Sequence, residues 1–433
     1  MDLGTLGLLL LVVMFLLLGG GIWIAFTLSA VGYVALVLTN PTPGLFLASA
    51  FWESTGSWTL AALPMFVWMG EILFRTRLSQ ELFNGLAPWF GRLPGRLFHV
   101  NIFACGIFGA VCGSSAATCA TISKIALPEL ARRGYDERLA IGSLATSGTL
   151  GILIPPSIIM VVYAVSVETS IIRLFIAGLI PGLIVMALFS GYIVVWALLN
   201  PAKMPAREPR MSFGEKLRAS AQLIPCVLLI LVVIGSMFAG YATATEAAAV
   251  GVGGALLLAA VTRTLTWRNF LDSLTGATRL SCMINIILAG AAFLTKAMAL
   301  TGIPGALAGF VTEMGLGPYA LIAILTIVYL ILGCFVDGVS MIVLTTTIVV
   351  PLVTAAGFDL VWFGIFIVLL VEIAQITPPV GFNLFVMQGL TGRELGTIAR
   401  ASLPFFGLLV VTVAIITVFP RVVTFLPDLL LNR

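Results

Sequence analysis

This 433-residue chain has very little charge and almost no histidine. Lysine, arginine, aspartate and glutamate together make up 9% of it, hydrophobic residues make up 60%, and the single histidine is His99. A soluble domain could not build a polar surface from so few charged residues, so the composition excludes the soluble classes. The six cysteines lie in apolar segments without a C-x-x-C pair, and no H-E-x-x-H motif occurs. We therefore expect no transition-metal site and no catalytic residues.

Apolar runs long enough to cross a membrane recur along the whole chain. We predict ten spans, at about residues 6–18, 22–38, 58–74, 138–165, 173–199, 221–239, 244–262, 279–298, 360–389 and 400–420. Two more apolar stretches, at about 98–128 and 318–351, are each interrupted in the middle. We interpret them as re-entrant hairpins that return to the side they entered from.

Six residues that interrupt or end helices recur at a constant distance. Each of the six residues has an identical residue 223 positions later. The pairs are Pro128 and Pro351, Gly134 and Gly357, Asp136 and Asp359, Pro155 and Pro378, Pro156 and Pro379, and Pro181 and Pro404. Chance does not place six such residues in one register. The sequence therefore predicts a duplicated membrane protein, which is typical of transporters.

The duplication predicts the topology. Each repeat has five spans and one hairpin, and because five is odd, the second repeat must be inverted relative to the first. With an outside N-terminus, all but four of the 22 lysines and arginines lie on the cytoplasmic side, the exceptions being Arg173, Lys296, Arg421 and Arg433. Positive charge is typical of cytoplasmic loops. We therefore expect an all-α polytopic protein with both termini outside.

Four breaks interrupt the apolar pattern, two in each repeat. They lie at residues 113–118, 148–157, 337–347 and 375–383, and they are rich in hydroxyl side chains, glycine and paired prolines. Paired prolines leave backbone carbonyls without donors, and carbonyls with hydroxyls form a small oxygen cage that suits Na⁺. Helices restarting at Ala116, Ser157, Val339 and Val380 would point N–H groups at an anion such as a carboxylate. The structural alternatives are a simple kink and small-residue helix packing.

The same segments resemble the large membrane subunit of tripartite ATP-independent periplasmic (TRAP) transporters. The resemblance rests on residues 113–118, 126–136, 148–158, 245–251 and 377–381, and it covers nearly the whole chain. It implies an elevator-type carrier that uses a Na⁺ gradient to import an organic acid across the bacterial inner membrane. It also implies two partners, a small four-span membrane subunit and a soluble periplasmic binding protein. The alternative is a stand-alone ion-coupled carboxylate symporter or antiporter.

The resemblance also implies site residues. The sodium ligands would come from Ser114, Ser115, Gly148, Gly151, Ile154, Asp337, Gly338, Ser340, Glu372 and Thr377. The substrate would contact Ser114, Thr118, Ser157, Ser340, Thr345, Pro379 and Asn383. Asp337 could instead cap the helix that restarts after it, and Glu372 could brace its break. Lys124 departs from the family pattern, which favours a small residue at that position.

The resemblance divides the chain into fixed and moving parts. A transport domain would consist of residues 98–165 and 318–389, which hold both hairpins and both broken helices. The scaffold would consist of residues 1–97 with an interfacial arm, the span at 166–199, residues 221–317 with a second arm, and residues 390–433. A cytoplasmic linker at 200–220 would join the two halves.

Overall fold

The fold is known from a computed structural model that describes residues 3–38, 42–205, 211–313 and 317–431. These residues form α-helices, short 3-10 turns and connecting loops, and no β-strand occurs among them. Residues 206–210 of the linker lie outside this description. The all-α polytopic fold expected from the sequence is confirmed.

The first half contains helices α1 to α11. Their bounds are Leu3–Gly19 (α1), Ile24–Val37 (α2), Pro43–Thr55 (α3), Ala62–Phe74 (α4), Leu78–Phe90 (α5), Leu97–Cys112 (α6), Ser115–Arg132 (α7), Glu137–Ser147 (α8), Leu150–Leu153 (α9), Ile158–Ser166 (α10) and Ile171–Leu199 (α11). A 3-10 turn, Trp58–Ala61, leads into α4. The sequence did not predict α3, which meets the following span at an angle of 53°.

The linker and second half contain helices α12 to α22. Their bounds are Phe213–Ser220 (α12), Ile224–Phe238 (α13), Ala244–Val261 (α14), Trp267–Thr301 (α15), Ile303–Glu313 (α16), Pro318–Gly333 (α17), Gly338–Ala355 (α18), Leu360–Gln375 (α19), Phe382–Thr391 (α20), Leu395–Val418 (α21) and Arg421–Leu431 (α22). The sequence did not predict α22, which packs along α11 and pairs Asp428 with Arg173 at 3.0 Å.

Six helices in the described part of the chain are long and apolar enough to cross a membrane, or eight if each bent pair counts as one span. The first bent pair joins α3 to the span at Trp58–Phe74, and the second joins Glu137–Leu153 to α10 at 42°. Several predicted spans fall on shorter apolar helices, including α1, α2 and α19. The multi-pass membrane character is thus clear, whereas the number of ten spans stays a prediction.

The residues that repeat in the sequence hold equivalent places in the two halves. Asp136 caps α8 by accepting the Leu139 N–H at 2.9 Å, and Asp359 caps α19 by accepting the Val361 N–H at 2.8 Å. The glycines two positions earlier both have positive φ, +74° at Gly134 and +82° at Gly357, which favours a residue without Cβ. The same order of elements therefore occurs twice. A helix pair, a broken helix and a long helix are α6–α7, α8–α10 and α11 in the first half, and α17–α18, α19–α20 and α21 in the second.

The two repeats cross over where they pack. Helix α7 of the first hairpin packs against α20 of the second repeat, and α18 of the second hairpin packs against α10 of the first. At the centre lies α19, whose side chains from Val361 to Ala374 are all buried. Apart from Glu372, the side chains over this stretch are apolar, which suits a helix with neighbours on every side. The crossing brings the four chain breaks into one region.

A second layer of helices surrounds this region. Helix α15 packs along α2, where a Cβ at Gly32 would lie 3.0 Å from the Phe293 ring and one at Gly290 would lie 2.6 Å from the Ala25 carbonyl. Helix α4 packs against α14 and α15 in the same layer. These close backbone approaches need glycine, as is common in membrane helix packing.

Candidate ion and substrate site

The tip of the first hairpin is a tight turn between α6 and α7. Gly113 has a φ of +63°, which ends α6 in the left-handed conformation. Ser114 then adopts an extended conformation, and its hydroxyl accepts the Ala117 N–H at 3.5 Å. Ser115 begins α7 and is buried. The free N–H groups of the first turn of α7 thus lie at the tip, as the sequence predicts.

Two hydrogen bonds connect this tip to both broken helices. The Ser115 hydroxyl donates to Asn383 Oδ1 at 3.0 Å, and Asn383 Nδ2 donates to the Ala145 carbonyl at 2.8 Å. Asn383 lies in the first turn of α20 and is fully buried, while Ala145 lies in α8. A buried amide with both ends satisfied fixes the relative position of the groups it joins. Asn383 therefore joins the first hairpin tip to both broken helices.

Glycines let the first broken helix approach this tip closely. A Cβ at Gly151 would lie 2.7 Å from Thr118 Oγ1 and 3.0 Å from the Ser114 carbonyl, and a Cβ at Gly148 would lie 2.6 Å from Cys119 Cβ. The Thr118 hydroxyl is buried and has no hydrogen-bond partner among the described residues. A carbonyl and an unpartnered hydroxyl thus lie beside the backbone at Gly151, and both are oxygens that can bind Na⁺.

The double proline ends the first broken helix as predicted. Ile154 is extended, with a ψ of 123°, so its carbonyl leaves the helical direction. Ser157 caps α10, where its hydroxyl accepts the Met160 N–H at 3.3 Å and donates to the Ile152 carbonyl at 2.6 Å. The Ser157 hydroxyl therefore already donates one hydrogen bond and accepts another within the break. A substrate could hydrogen-bond to it only by donating to the remaining lone pair of its oxygen.

The tip of the second hairpin uses a carboxylate where the first uses a hydroxyl. Asp337 is the repeat equivalent of Ser114, and it accepts the N–H groups of Val339 at 3.1 Å and Ser340 at 3.2 Å, together with the Ser340 hydroxyl. Gly338, which begins α18, is buried against Val371 of α19. Asp337 is therefore an N-cap at a partly exposed tip.

The hydroxyls of Thr345 and Thr377 already have partners within the protein. Thr345 donates to the Met341 carbonyl at 2.8 Å, and its oxygen pairs with the Tyr329 hydroxyl at 2.6 Å, which ties the two arms of the second hairpin together. Thr377 donates to the Ile373 carbonyl at 2.6 Å. Pro379 beside it is exposed, whereas the prolines of the first break are buried. The second break is the more open of the two.

Glu372 lies where α19 packs against the first broken helix. It is fully buried in α19 beside Thr149, its repeat equivalent in the first half, and neither carboxyl oxygen has a hydrogen-bond partner among the described residues. The Thr149 hydroxyl donates instead to the Thr146 carbonyl at 2.7 Å. It is Val371, one position earlier, that contacts the second hairpin. Glu372 thus lies at the seam between the repeats.

The structure brings some predicted residues together and separates others. Ser114, Ser115, Thr118, Gly148, Gly151 and Asn383 form one contiguous cluster, which we call the first-tip cluster. Asp337, Gly338 and Ser340 form the second-tip cluster. Sequence reasoning missed the Ala145 carbonyl and the buried Ser147 hydroxyl, which has no partner among the described residues. The run of small and hydroxyl residues Thr146-Ser147-Gly148-Thr149 could have pointed to Ser147. The Ala145 carbonyl could not be found in this way, because every residue has a backbone carbonyl and the sequence does not distinguish one from another.

Comparisons with known proteins agree with this architecture. Residues 10–422 match the family described as "Tripartite ATP-independent periplasmic transporter, DctM component". The chain is 35% identical over 403 residues to the C4-dicarboxylate TRAP transporter large permease protein DctM of Pseudomonas aeruginosa, covering 93% of this chain and 94% of that protein. It is 30% identical over 427 residues to the sialic acid TRAP transporter large permease protein SiaM of Vibrio cholerae, covering 96% and 97%.

A solved transporter has the same fold. The YdaH transporter of Alcanivorax borkumensis, whose crystal structure has an unusual topology, superposes with a TM-score of 0.63 at 12% identity, covering 93% of this chain and 98% of that one. An identity this low supports the fold alone. The family match over nearly the whole length supports more: this chain belongs to the DctM family, the large permease subunits of TRAP transporters, and is a transporter subunit rather than an enzyme.

Proposed function

We propose that this subunit carries out sodium-coupled import of an organic acid, with the ions and the substrate bound between the two hairpin tips. The observation that carries the proposal is the pair of hydrogen bonds at Asn383, which joins the first hairpin tip to both broken helices. Irregular backbone at membrane depth persists only where protein or a polar cavity surrounds it. Four breaks gathered in one place therefore indicate a binding site.

The chemistry of the two tip clusters favours Na⁺. The first-tip cluster offers hydroxyl and carbonyl oxygens without a formal charge, and the second adds the Asp337 carboxylate. Hard oxygen ligands of low total charge suit a monovalent or weakly bound cation, whereas transition metals prefer nitrogen and sulfur. Among the described residues, no three histidine, cysteine, aspartate or glutamate side chains are placed to hold a metal ion. We assign one sodium ion to each tip cluster.

The substrate class follows from charge and from the family. The helix starts at α7, α10, α18 and α20 present N–H groups to the same region, which favours a carboxylate. Relatives of this chain are named for C4-dicarboxylates, sialic acid and ectoine, which carry a carboxylate, and one is named for isethionate, which carries a sulfonate instead. The family name also describes a tripartite periplasmic system. We propose that a periplasmic binding protein delivers the acid and that a small, four-span membrane subunit supports this chain.

Uptake is expected to require a sodium gradient. Proteoliposomes containing this chain and its small partner, supplied with the binding protein, should accumulate radiolabelled succinate, sialic acid or ectoine when Na⁺ is outside. Substituting K⁺ at equal ionic strength should abolish accumulation, because K⁺ is too large for a cage sized to Na⁺. Equal uptake in K⁺ with a proton gradient would contradict sodium coupling. The absence of a binding-protein requirement would contradict the tripartite arrangement.

We further propose that the protein works as an elevator. The transport domain is residues 98–165 and 318–389, and the remaining spans form the scaffold with its interfacial arms. The Asn383 contacts join both parts of the proposed transport domain, which supports its movement as one body. Moving a complete site preserves ion and anion coordination on both sides of the membrane.

A crosslink between the two domains should stop transport. The hydroxyls of Thr295 in α15 and Thr347 in α18 lie 2.9 Å apart across the proposed domain boundary. In a background without the six native cysteines, Thr295→Cys with Thr347→Cys should form a disulfide that reduces uptake to background while sodium binding persists. Each single cysteine is the control. An unchanged uptake rate after complete crosslinking would rule out the elevator.

The orientation proposed from the charge pattern places both termini in the periplasm of a bacterial inner membrane. Ala202, in the linker, and Ala306, in α16, are both exposed and should lie on opposite sides. In intact cells lacking native cysteines, an impermeant maleimide should label Ala306→Cys from the periplasm and leave Ala202→Cys unlabelled until the cells are permeabilised. Labelling of both in intact cells would overturn the inverted topology.

A further inference from the structure

The two repeats contact the scaffold at different heights. In the first repeat, α4 meets the very tip of the hairpin, since a Cβ at Gly70 would lie 2.8 Å from the Cys112 carbonyl. In the second repeat, α15 meets the hairpin arm well beyond its tip, through Thr295 and Thr347. By the 223-residue register, Thr295 is equivalent to Ile72 and Thr347 to Lys124. The first repeat does not make this contact, because Lys124 is exposed.

This difference defines the opposite end state of the carrier. When an inverted duplication moves its site from one side to the other, each half adopts the arrangement the other half had. The first repeat would then place Lys124 of α7 beside Ile72 of α4, the register seen now between Thr347 and Thr295. This step rests on the elevator function proposed above.

The neighbour of Ile72 is a carboxylate. Glu71 lines a cavity of about 90 Å³ between α4 and the first hairpin, together with Ser114 and Ala117. Lys124 follows Ala117 by seven residues, so the two side chains lie on one face of α7. A slide of two turns, about 10.5 Å at 1.5 Å per residue, would bring Lys124 to the place that Ala117 now holds.

The present contacts of Glu71 and Lys124 would allow the two side chains to pair after such a slide. Glu71 is paired with Arg75, which also donates to the Asp272 carbonyl of α15 at 3.2 Å. Lys124 is exposed and has no ion pair among the described residues. Its charge is therefore available for a new partner when α7 moves.

We propose that Lys124 is a positioning residue that forms an ion pair with Glu71 when the carrier is in the opposite end state. In the present state Glu71 is paired with Arg75. In the opposite state Lys124 joins Glu71 across the domain boundary and stabilises that state relative to the present one. The pair thus sets the balance between the two ends of the transport cycle.

Charge reversal tests the pair. Lys124→Glu and Glu71→Lys, made singly in the reconstituted complex, should each lower uptake about tenfold, since like charges then meet in a partly desolvated cavity. The double exchange should recover most of the wild-type rate. Arg132→Glu, eight residues further along the same helix in a contact with Glu129, is the control and should not be rescued by Glu71→Lys. Additive loss in the double variant would overturn the proposal.

Crosslinking tests directly whether residues 71 and 124 approach each other during transport. A purely structural role of Lys124 would not produce such a crosslink. In the cysteine-free background, Glu71→Cys with Lys124→Cys should crosslink through a short bis-maleimide only while the carrier cycles. The Thr295–Thr347 disulfide, formed first, should prevent it. If that disulfide blocks uptake but the 71–124 crosslink never forms, the elevator stands and this inference fails. If the disulfide leaves uptake unchanged, the proposed elevator itself fails.

Discussion

Replacing Asn383 by alanine is expected to reduce sodium-driven uptake about 100-fold. The change removes the acceptor of the Ser115 hydroxyl and the donor to the Ala145 carbonyl, and it leaves both groups buried. Each buried polar group without a partner costs about 1–3 kcal/mol, and every 1.4 kcal/mol corresponds to a factor of ten. The first hairpin tip would then no longer be fixed against the two broken helices, so the oxygens of the first-tip cluster would not converge on one ion.

The measurement is uptake alongside sodium-dependent thermal stabilisation of the purified complex. A ligand that binds only the folded protein raises its free energy of unfolding according to its concentration and affinity. Asn383→Ala should lose most of the stabilisation by NaCl relative to choline chloride. Gln388→Ala, on the same helix and half-buried, is the control and should keep it. Retained uptake in Asn383→Ala would contradict the central place of this contact in the site.

Replacing Asp337 by serine is expected to raise the sodium concentration for half-maximal uptake at least about tenfold. Serine is the residue at the equivalent position of the first repeat, where Ser114 caps α7, so the substitution keeps an N-cap and removes only the charge. A carboxylate a few ångströms from a cation contributes about 1–4 kcal/mol at the effective dielectric of a partly exposed site. The variant therefore separates the two roles that the sequence left open for Asp337.

Asp337→Ala completes this comparison, because it removes the cap as well as the charge. If Asp337 serves only as a cap, Asp337→Ser should behave like the wild type and Asp337→Ala should lose stability in both NaCl and choline chloride. If it binds sodium, both variants should share the same loss of sodium affinity. A wild-type sodium dependence in Asp337→Ser would remove Asp337 from the proposed second sodium site.

The sequence alone determined the class of molecule and the position of its breaks. Paired prolines, positive-φ glycines and capping aspartates act through the backbone of their own neighbourhood, so their effect can be read without knowing the fold. Gly134 and Asp136, with their equivalents Gly357 and Asp359, accordingly end and restart helices as the repeat indicated. The same local logic predicted helix restarts at Ala116, Ser157, Val339 and Val380, close to the observed starts of α7, α10, α18 and α20.

Only the tertiary structure decided which breaks meet. The packing of α7 against α20, and of α18 against α10, depends on contacts between residues far apart in sequence, such as Ser115 with Asn383, and no local pattern encodes such a pairing. For the same reason the sequence did not indicate that Glu372 lies beside Thr149, its repeat equivalent. A helix fully surrounded by protein has no polar face, so its sequence does not indicate which neighbour a given side chain will meet.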